Sequence, residues 1–204
     1  MLVDDHEVVR AGYRRLLESS DDIQVVSEAH SGEIAYEQCC IFNPDVIVMD
    51  ISMPGTGGLE AIRRMIARDK KIRILVFSVH ENEVFLQRAL EMGARGYITK
   101  RSASQTMIEA VRQVARDQIF IGEDMLPHLT RNSDHNQLFN DLSPREFEVF
   151  LLLAKGKSVN DIAEMLSISS KTVGNHMTNL KSKLAVTNVV ELTLLAIRNN
   201  LIDL

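Results

Sequence analysis

Asp45-Val46-Ile47-Val48-Met49-Asp50, followed at once by Ile51-Ser52-Met53-Pro54-Gly55, decides the fold of this chain. Val46 to Met49 form an unbroken apolar run closed by one acid, the pattern of a strand covered on both faces in a parallel sheet. Asp50 then stands at the carboxyl end of that strand, where open α/β sheets place their chemistry. Pro54, Gly55, Gly57 and Gly58 impose a loop before the next helix, so the acid opens into a crevice.

Similar short runs lie on either side: Met1-Leu2-Val3, Gln24-Val25-Val26, Ile74-Leu75-Val76-Phe77 and Gly96-Tyr97-Ile98. Helical spacing separates them near His6–Ser19, Gly32–Phe42, Leu59–Arg68, Glu81–Met92 and Ala103–Arg116. Five strands alternating with five helices predict a flavodoxin-like, doubly wound parallel sheet, because parallel strands need helical crossovers. The first strand reads as cut short, through missing residues or as an unusually brief edge. From Glu123 to Asp141 the periodicity breaks around Pro127 and the polar run Thr130–Gln137, which reads as a linker with one helical turn near Asp124–Leu129. His128 and His135 are expected to be solvated linker residues.

The last part is all helical. Ser143-Pro144-Arg145-Glu146 is a capping box with proline at the first helical position, and Gly156 stops the helix it launches. Ser158–Leu166 and Ser169–Leu184 follow, joined by a tight Ser167-Ile168-Ser169 turn, and Asn188 starts a fourth helix running to about Leu201. This predicts a helix-turn-helix unit. The domains are therefore an α/β unit at 1–122, a linker at 123–141 and a small all-α unit at 142–204.

The net charge of −5 argues against a generally basic nucleic-acid binder, but the charge is uneven. Residues 142–204 carry 7 Lys and Arg against 6 acids, and no acid occurs from Met165 to Val190, where Lys171, Lys181 and Lys183 lie. Positive potential is thus confined to the third helix of the small unit. No apolar run approaches a membrane span, and with Asp4 and Asp5 among the first residues a cytoplasmic protein without a signal peptide is expected. Cys39 and Cys40 are neighbours on a predicted helix, point apart and read as packing residues.

Asp4 and Asp5 follow the first strand and Asp50 the third, which are adjacent in a flavodoxin-like order. Converging carboxylates repel unless a hard cation joins them, and few carboxylates plus water suit Mg²⁺. Ser78 closes the fourth strand and Lys100 follows the fifth, adding a hydroxyl and an ammonium to the same rim. Such a set handles phosphoryl groups. His6, at a helix start, is left outside it as a partly exposed residue.

Over residues 1 to about 122 these positions resemble the receiver domain of response regulators: Asp4-Asp5, Asp50 within Val-Met-Asp-Ile-Ser-Met-Pro-Gly, Ser78, Tyr97 and Lys100. The resemblance implies that Asp50 takes a phosphoryl group from a sensor histidine kinase. It further implies that Mg²⁺ is held by Asp5, Asp50 and the Ser52 carbonyl with Asp4 alongside, and that Ser78 and Tyr97 form the switch. Residues 142–204 resemble the LuxR-type output domain through Leu142–Glu146, Ile162–Leu166, Ser169–Val173, His176, Lys181 and Leu184. The whole is similar to a two-component response regulator of the NarL/FixJ class, a transcription factor and not an enzyme.

Ile162, Leu166, Val173, Met177, Leu180 and Leu184 are expected to face inward, leaving an acid-free outer face suited to the major groove. The family pattern puts Gly174, Asn175 and Thr178 at bases, with Lys171, Thr172, Lys181 and Lys183 also in the DNA-binding set. It also implies a homodimer, formed on phosphorylation, that binds an inverted repeat in double-stranded DNA. The apolar surplus on the last helix, Val189, Leu192 and Leu195 among it, is expected to dimerise. Val190–Ala196 resembles the GacA/UvrY subgroup, implying a hybrid sensor kinase. A Mg²⁺-dependent phosphatase is disfavoured because a substrate cap and a glycine-rich phosphate loop are lacking, and a protein-binding helical module by the acid-free stretch.

Overall fold

The computed structural model describes residues 1–129 and 138–202. The chain divides into two compact units, Met1–Arg131 and Asn132–Leu204. The polar run Thr130–Gln137, with His135, lies outside the described residues.

The first unit is a parallel sheet of strands β1 (Leu2–Val3), β2 (Glu28–Ala29), β3 (Ile47–Met49), β4 (Ile74–Ser78), β5 (Gly96–Thr99) and β6 (Phe120–Ile121) in the order β2-β1-β3-β4-β5-β6. Helices α1 (Glu7–Leu17), α2 (Gly32–Phe42), α3 (Gly58–Arg68), α4 (Glu83–Glu91) and α5 (Ala103–Ala115) make the crossovers. The doubly wound architecture read from the sequence is the one observed. Val48, Leu75, Phe77 and Ile98 pack under Leu17, Met107, Ala110 and Val114 on one face. By strand alternation Ile47, Met49, Ile74 and Val76 point to the other, and all four are buried.

Three details correct the sequence reading. β1 is short but not an edge: it pairs with both β2 and β3, matching Leu2 to Glu28 and to Val48. β2 lies at Glu28–Ala29, not Gln24–Val26, because only Leu2–Val3 of β1 stands opposite, and the Leu2 and Asp4 amides donate to the Ser27 and Ala29 carbonyls. A sixth strand, too brief to show as a run, pairs Phe120 with Gly96 and Ile121 with Tyr97.

The expected linker is also shorter at both ends. Glu123–His128 form a 3₁₀ helix within the first unit, with Met125 fully buried, because Asp124 is bonded to the β5–α5 turn. At the other end Leu138–Asn140 are helical, and Phe139 is buried against Phe147 and Phe150 at ring distances of 6.2 and 5.5 Å.

The second unit holds α6 (Pro144–Ala154), α7 (Val159–Met165), α8 (Ser170–Lys183) and α9 (Val189–Arg198). Ser143 with Glu146 and Ser158 with Asp161 form reciprocal capping boxes, and Ser169 and Asn188 cap the other two starts. Each such cap is worth about 1 kcal/mol. The α7–α8 turn is closed by Ser167 at φ 52° and by the Ile168 amide bonding to Ala163.

Candidate functional site

Asp4, Asp50, Ser78 and Lys100 follow or end β1, β3, β4 and β5, so four strands deliver them to one rim. Lys100 Nζ donates to Asp4 Oδ2 at 2.6 Å and to Asp50 Oδ2 at 2.7 Å, and stands 5.0 Å from the Phe77 ring centroid. Asp4 and Asp50 are 3% and 1% exposed, and Ser78 is fully buried. The second oxygen of each acid meets backbone: His6 N donates to Asp4 Oδ1 and Ser52 N to Asp50 Oδ1, both at 2.8 Å. A charged pair this buried persists only because one ammonium serves both carboxylates.

Burial pushes the Asp50 carboxyl above its ordinary value, although its bonds to Lys100 pull the other way. Burial also works against the Lys100 ammonium, but its bonds to Asp4 and Asp50 outweigh that and hold it above an ordinary lysine. The loop after Asp50 is pressed close, since a Cβ at Gly58 would lie 2.2 Å from the Asp50 carbonyl oxygen. That approach admits glycine alone. Glu33 of α2 accepts from the Thr56 amide at 2.8 Å and fixes the far side of the same loop, a contact the sequence reading missed.

Tyr97 is fully buried and its hydroxyl donates to the His80 carbonyl at 2.8 Å, while the His80 amide donates to Ser78 Oγ at 3.1 Å. Tyr97 therefore joins Ser78 through the β4–α4 loop rather than touching the acids. Burial raises its phenol far above the ordinary range. Asp5 points toward His6, whose Nδ1 lies 3.0 Å from Asp5 Oδ1 and 3.3 Å from Asp4 Oδ1.

Among the described residues Asp4, Asp5 and His6 can bring one ligand atom each within 4.8 Å of one another, and Asp5 Oδ1 is buried without a hydrogen bond. A carboxylate pair with one buried oxygen that makes no hydrogen bond and has the His6 ring nitrogen beside it fits a hard divalent cation. Asp50, expected among the ligands, has both oxygens engaged by Lys100 and Ser52. A separate groove of about 460 Å³, lined by Met1, Val25, Pro44 and Val46, lies at the amino ends of the strands and brings no acid cluster together.

In the helical unit Ile162, Leu166, Val173, Leu180 and Leu184 are buried as expected, and Met177 is half-buried. Lys171, Asn175 and Thr178 are exposed on α8, with Thr172, Gly174 and Lys181 partly so. A side chain at 174 would meet nothing within 4 Å, so the glycine leaves a gap in the outer face. Two expected residues are placed otherwise. Lys183 Nζ is spent on Glu146 Oε2 at 2.7 Å and the Asp141 carbonyl at 2.8 Å, because Glu146 is 4% exposed and needs a cation. Leu192 is fully buried, one α9 turn from buried Ala196, so it belongs to the unit's own core and not to a dimer face. Val189, Val190 and Leu194 are exposed, at 36%, 68% and 47%, and Leu195 is half-buried.

Residues 1–112 match the response regulator receiver domain, and residues 140–196 match the luxR family of bacterial regulatory proteins. The chain belongs to the response regulators with a LuxR-type output domain. As a two-component response regulator it is a phosphorylated DNA-binding transcription regulator. It is 40% identical to the response regulator UvrY of Escherichia coli K12 over 98% of this chain and 94% of that protein. It is 37% identical to the response regulator GacA of Pseudomonas aeruginosa over all of this chain and 97% of that one. A structure of RcsB from Salmonella enterica serovar Typhimurium, bound to promoter rprA with the phosphomimetic BeF3⁻, superposes with a TM-score of 0.68. It covers 95% of this chain and 96% of that one at 25% identity. No helix among the described residues is long and apolar enough to cross a membrane.

Proposed function

We propose that Asp50 is the phospho-acceptor of this response regulator and that the Asp4–Asp5 pair, Asp50 and the Ser52 carbonyl hold Mg²⁺ beside it. The observation that carries the reading is the Lys100 ammonium shared by two buried carboxylates from positions 4 and 50. A carboxylate oxygen of Asp50 attacks the phosphorus of a kinase phosphohistidine; the O–P bond forms as the P–N bond breaks, leaving an acyl phosphate on Asp50 and a free imidazole. Mg²⁺, when bound, neutralises charge on the transferring phosphoryl oxygens. Lys100 supplies a second cation there, and Ser78, buried 22 residues before it, offers a hydroxyl to the phosphoryl group.

Tyr97 and Ser78 form the switch through the His80 backbone they share. The donor is a sensor histidine kinase, of hybrid type by likeness to the UvrY and GacA regulators. Phosphorylation drives a cytoplasmic protein to dimerise through Val189, Val190, Leu194 and Leu195 on an inverted repeat. Lys171, Thr172 and Lys181 contact phosphates, and Asn175 and Thr178, with the gap at Gly174, read bases in the major groove.

The test is intact-mass measurement after incubation with Mg²⁺ and acetyl phosphate. The natural chain is expected to gain one phosphoryl group, and Asp50→Asn to gain none while keeping its circular dichroism. Stable uptake by Asp50→Asn would overturn the assignment.

A further inference from the structure

We propose that Asp124 is a latch that ties the segment leaving the receiver to the turn carrying Lys100, and that a phosphoryl group on Asp50 loosens it. The inference rests on Asp50 being the phospho-acceptor. β5 ends in Thr99, directly before Lys100, and Thr99 is fully buried. Its hydroxyl donates to Asp124 Oδ2 and lies 3.1 Å from Ser102 Oγ, which reaches Asp124 Oδ1 at 3.5 Å. One carboxylate of the exit segment thus closes the β5–α5 turn. The Asp124 side chain is only 13% exposed, and Met125 beside it is fully buried. The Gly122 amide donates to the Tyr97 carbonyl at 2.9 Å, so the same strand grips the exit segment at the switch tyrosine as well.

Ser102, at the position that would cap α5, makes no cap bond; its hydroxyl is spent on the turn and Asp124 instead. A helix start without its cap is a local cost that the latch must offset. On the site side, the Lys100 amide donates to the Ser78 carbonyl at 2.7 Å, so the backbone of the turn is bonded to the strand that ends in the hydroxyl. A phosphoryl group brings about −1.5 to −2 charges, draws Lys100 Nζ away from Asp4, and adds repulsion on the Asp124 carboxylate, which faces only the exposed Arg101 guanidinium at 4.0 Å as a cation among the ion pairs of the described residues. Both effects act on the Thr99–Asp124 bond in the loosening direction. By linkage, a phosphoryl group that weakens the latch binds more tightly, by the same factor, once the latch is broken.

The experiment measures hydrogen exchange at Glu123–Leu129 and BeF3⁻ affinity in the full chain with Mg²⁺. In the natural chain, BeF3⁻ is expected to speed exchange of these amides by about 5-fold or more, the lower end of ordinary coupling between sites. Asp124→Asn is expected to exchange fast without BeF3⁻ and to bind it tighter by the same factor, with Asp124→Glu returning both toward the natural values. Should Asp124→Asn lose its fold, Ser102→Ala removes the weaker contacts and is expected to move both readouts the same way. Unchanged exchange on BeF3⁻ binding, or fast exchange in the variant without tighter binding, overturns the latch. A natural chain that binds no BeF3⁻ overturns the phospho-acceptor reading beneath it, and the latch with it.

Discussion

Lys100→Met removes the one cation that two buried carboxylates share while nearly preserving side-chain volume. Breaking a buried pair by deleting one partner costs about 3–5 kcal/mol, because a charge is left uncompensated. Here the remaining acids can escape that full cost by sharing a proton. Asp50 is already pushed up by burial, and without Lys100 it rises further. An acid whose folded pKa exceeds its unfolded one binds more protons when folded, so stability falls as pH rises between the two values, by up to about 1.4 kcal/mol per pH unit. The gap between the natural chain and the variant is therefore expected to widen from pH 5 to pH 8, up to the 3–5 kcal/mol ceiling. That ceiling corresponds to a receiver melting temperature about 12–20 °C lower, at about 4 °C per kcal/mol. Mg²⁺ at a hundred times its dissociation constant is expected to return about 2.7 kcal/mol, and to bind the variant more tightly because no ammonium competes for Asp4. Calorimetry of the full chain across pH, with Mg²⁺ and with a chelator, reads all of this. A loss equal at every pH, or one that Mg²⁺ does not reduce, would refute the reasoning.

Leu192→Ala is expected to destabilise the helical unit by about 2–5 kcal/mol in urea unfolding, whereas Leu194→Ser leaves stability within about 0.5 kcal/mol and weakens DNA-bound dimers in gel shift. Lys171→Ala should weaken DNA binding evenly across sequences and reduce the slope of log affinity against log salt by about 1. Lys183→Met is expected to leave that slope unchanged and to cost about 1.5 kcal/mol of stability, since it strands Glu146. Lys183 bonds hold Glu146 below its ordinary value against the pull of burial, so that cost is present above pH 5 and fades as pH falls through the carboxyl range.

Strand order and the convergence of Asp4, Asp50 and Lys100 were legible because buried parallel strands leave continuous apolar runs, and each functional side chain sits at the end of one. β6 and the Asp124 contacts were not, because a two-residue strand has no period and a carboxylate in a polar stretch has the same sequence signature whether solvated or bonded to Thr99. Lys183 and Lys171 look alike in the sequence. What separates them is Glu146, 37 residues away, whose burial no local pattern reveals. Leu192 was misread for a related reason: α9 is apolar on more than one side, and helical spacing alone does not say which stripe its own unit covers.

Phe139 lies ahead of the capping box that opens α6, yet its ring is as buried as those of Phe147 and Phe150. The helical unit therefore begins structurally before its first long helix. A protease cutting between Phe139 and Leu142, or a fragment cloned to start at Leu142, would release a piece with a phenylalanine-sized hole beside two exposed rings, a loss of about 3–5 kcal/mol by analogy with core truncations. Excision ahead of Leu138 keeps that plug in place. The choice between the two cuts decides whether the released piece is a folded DNA reader or an aggregation-prone remnant.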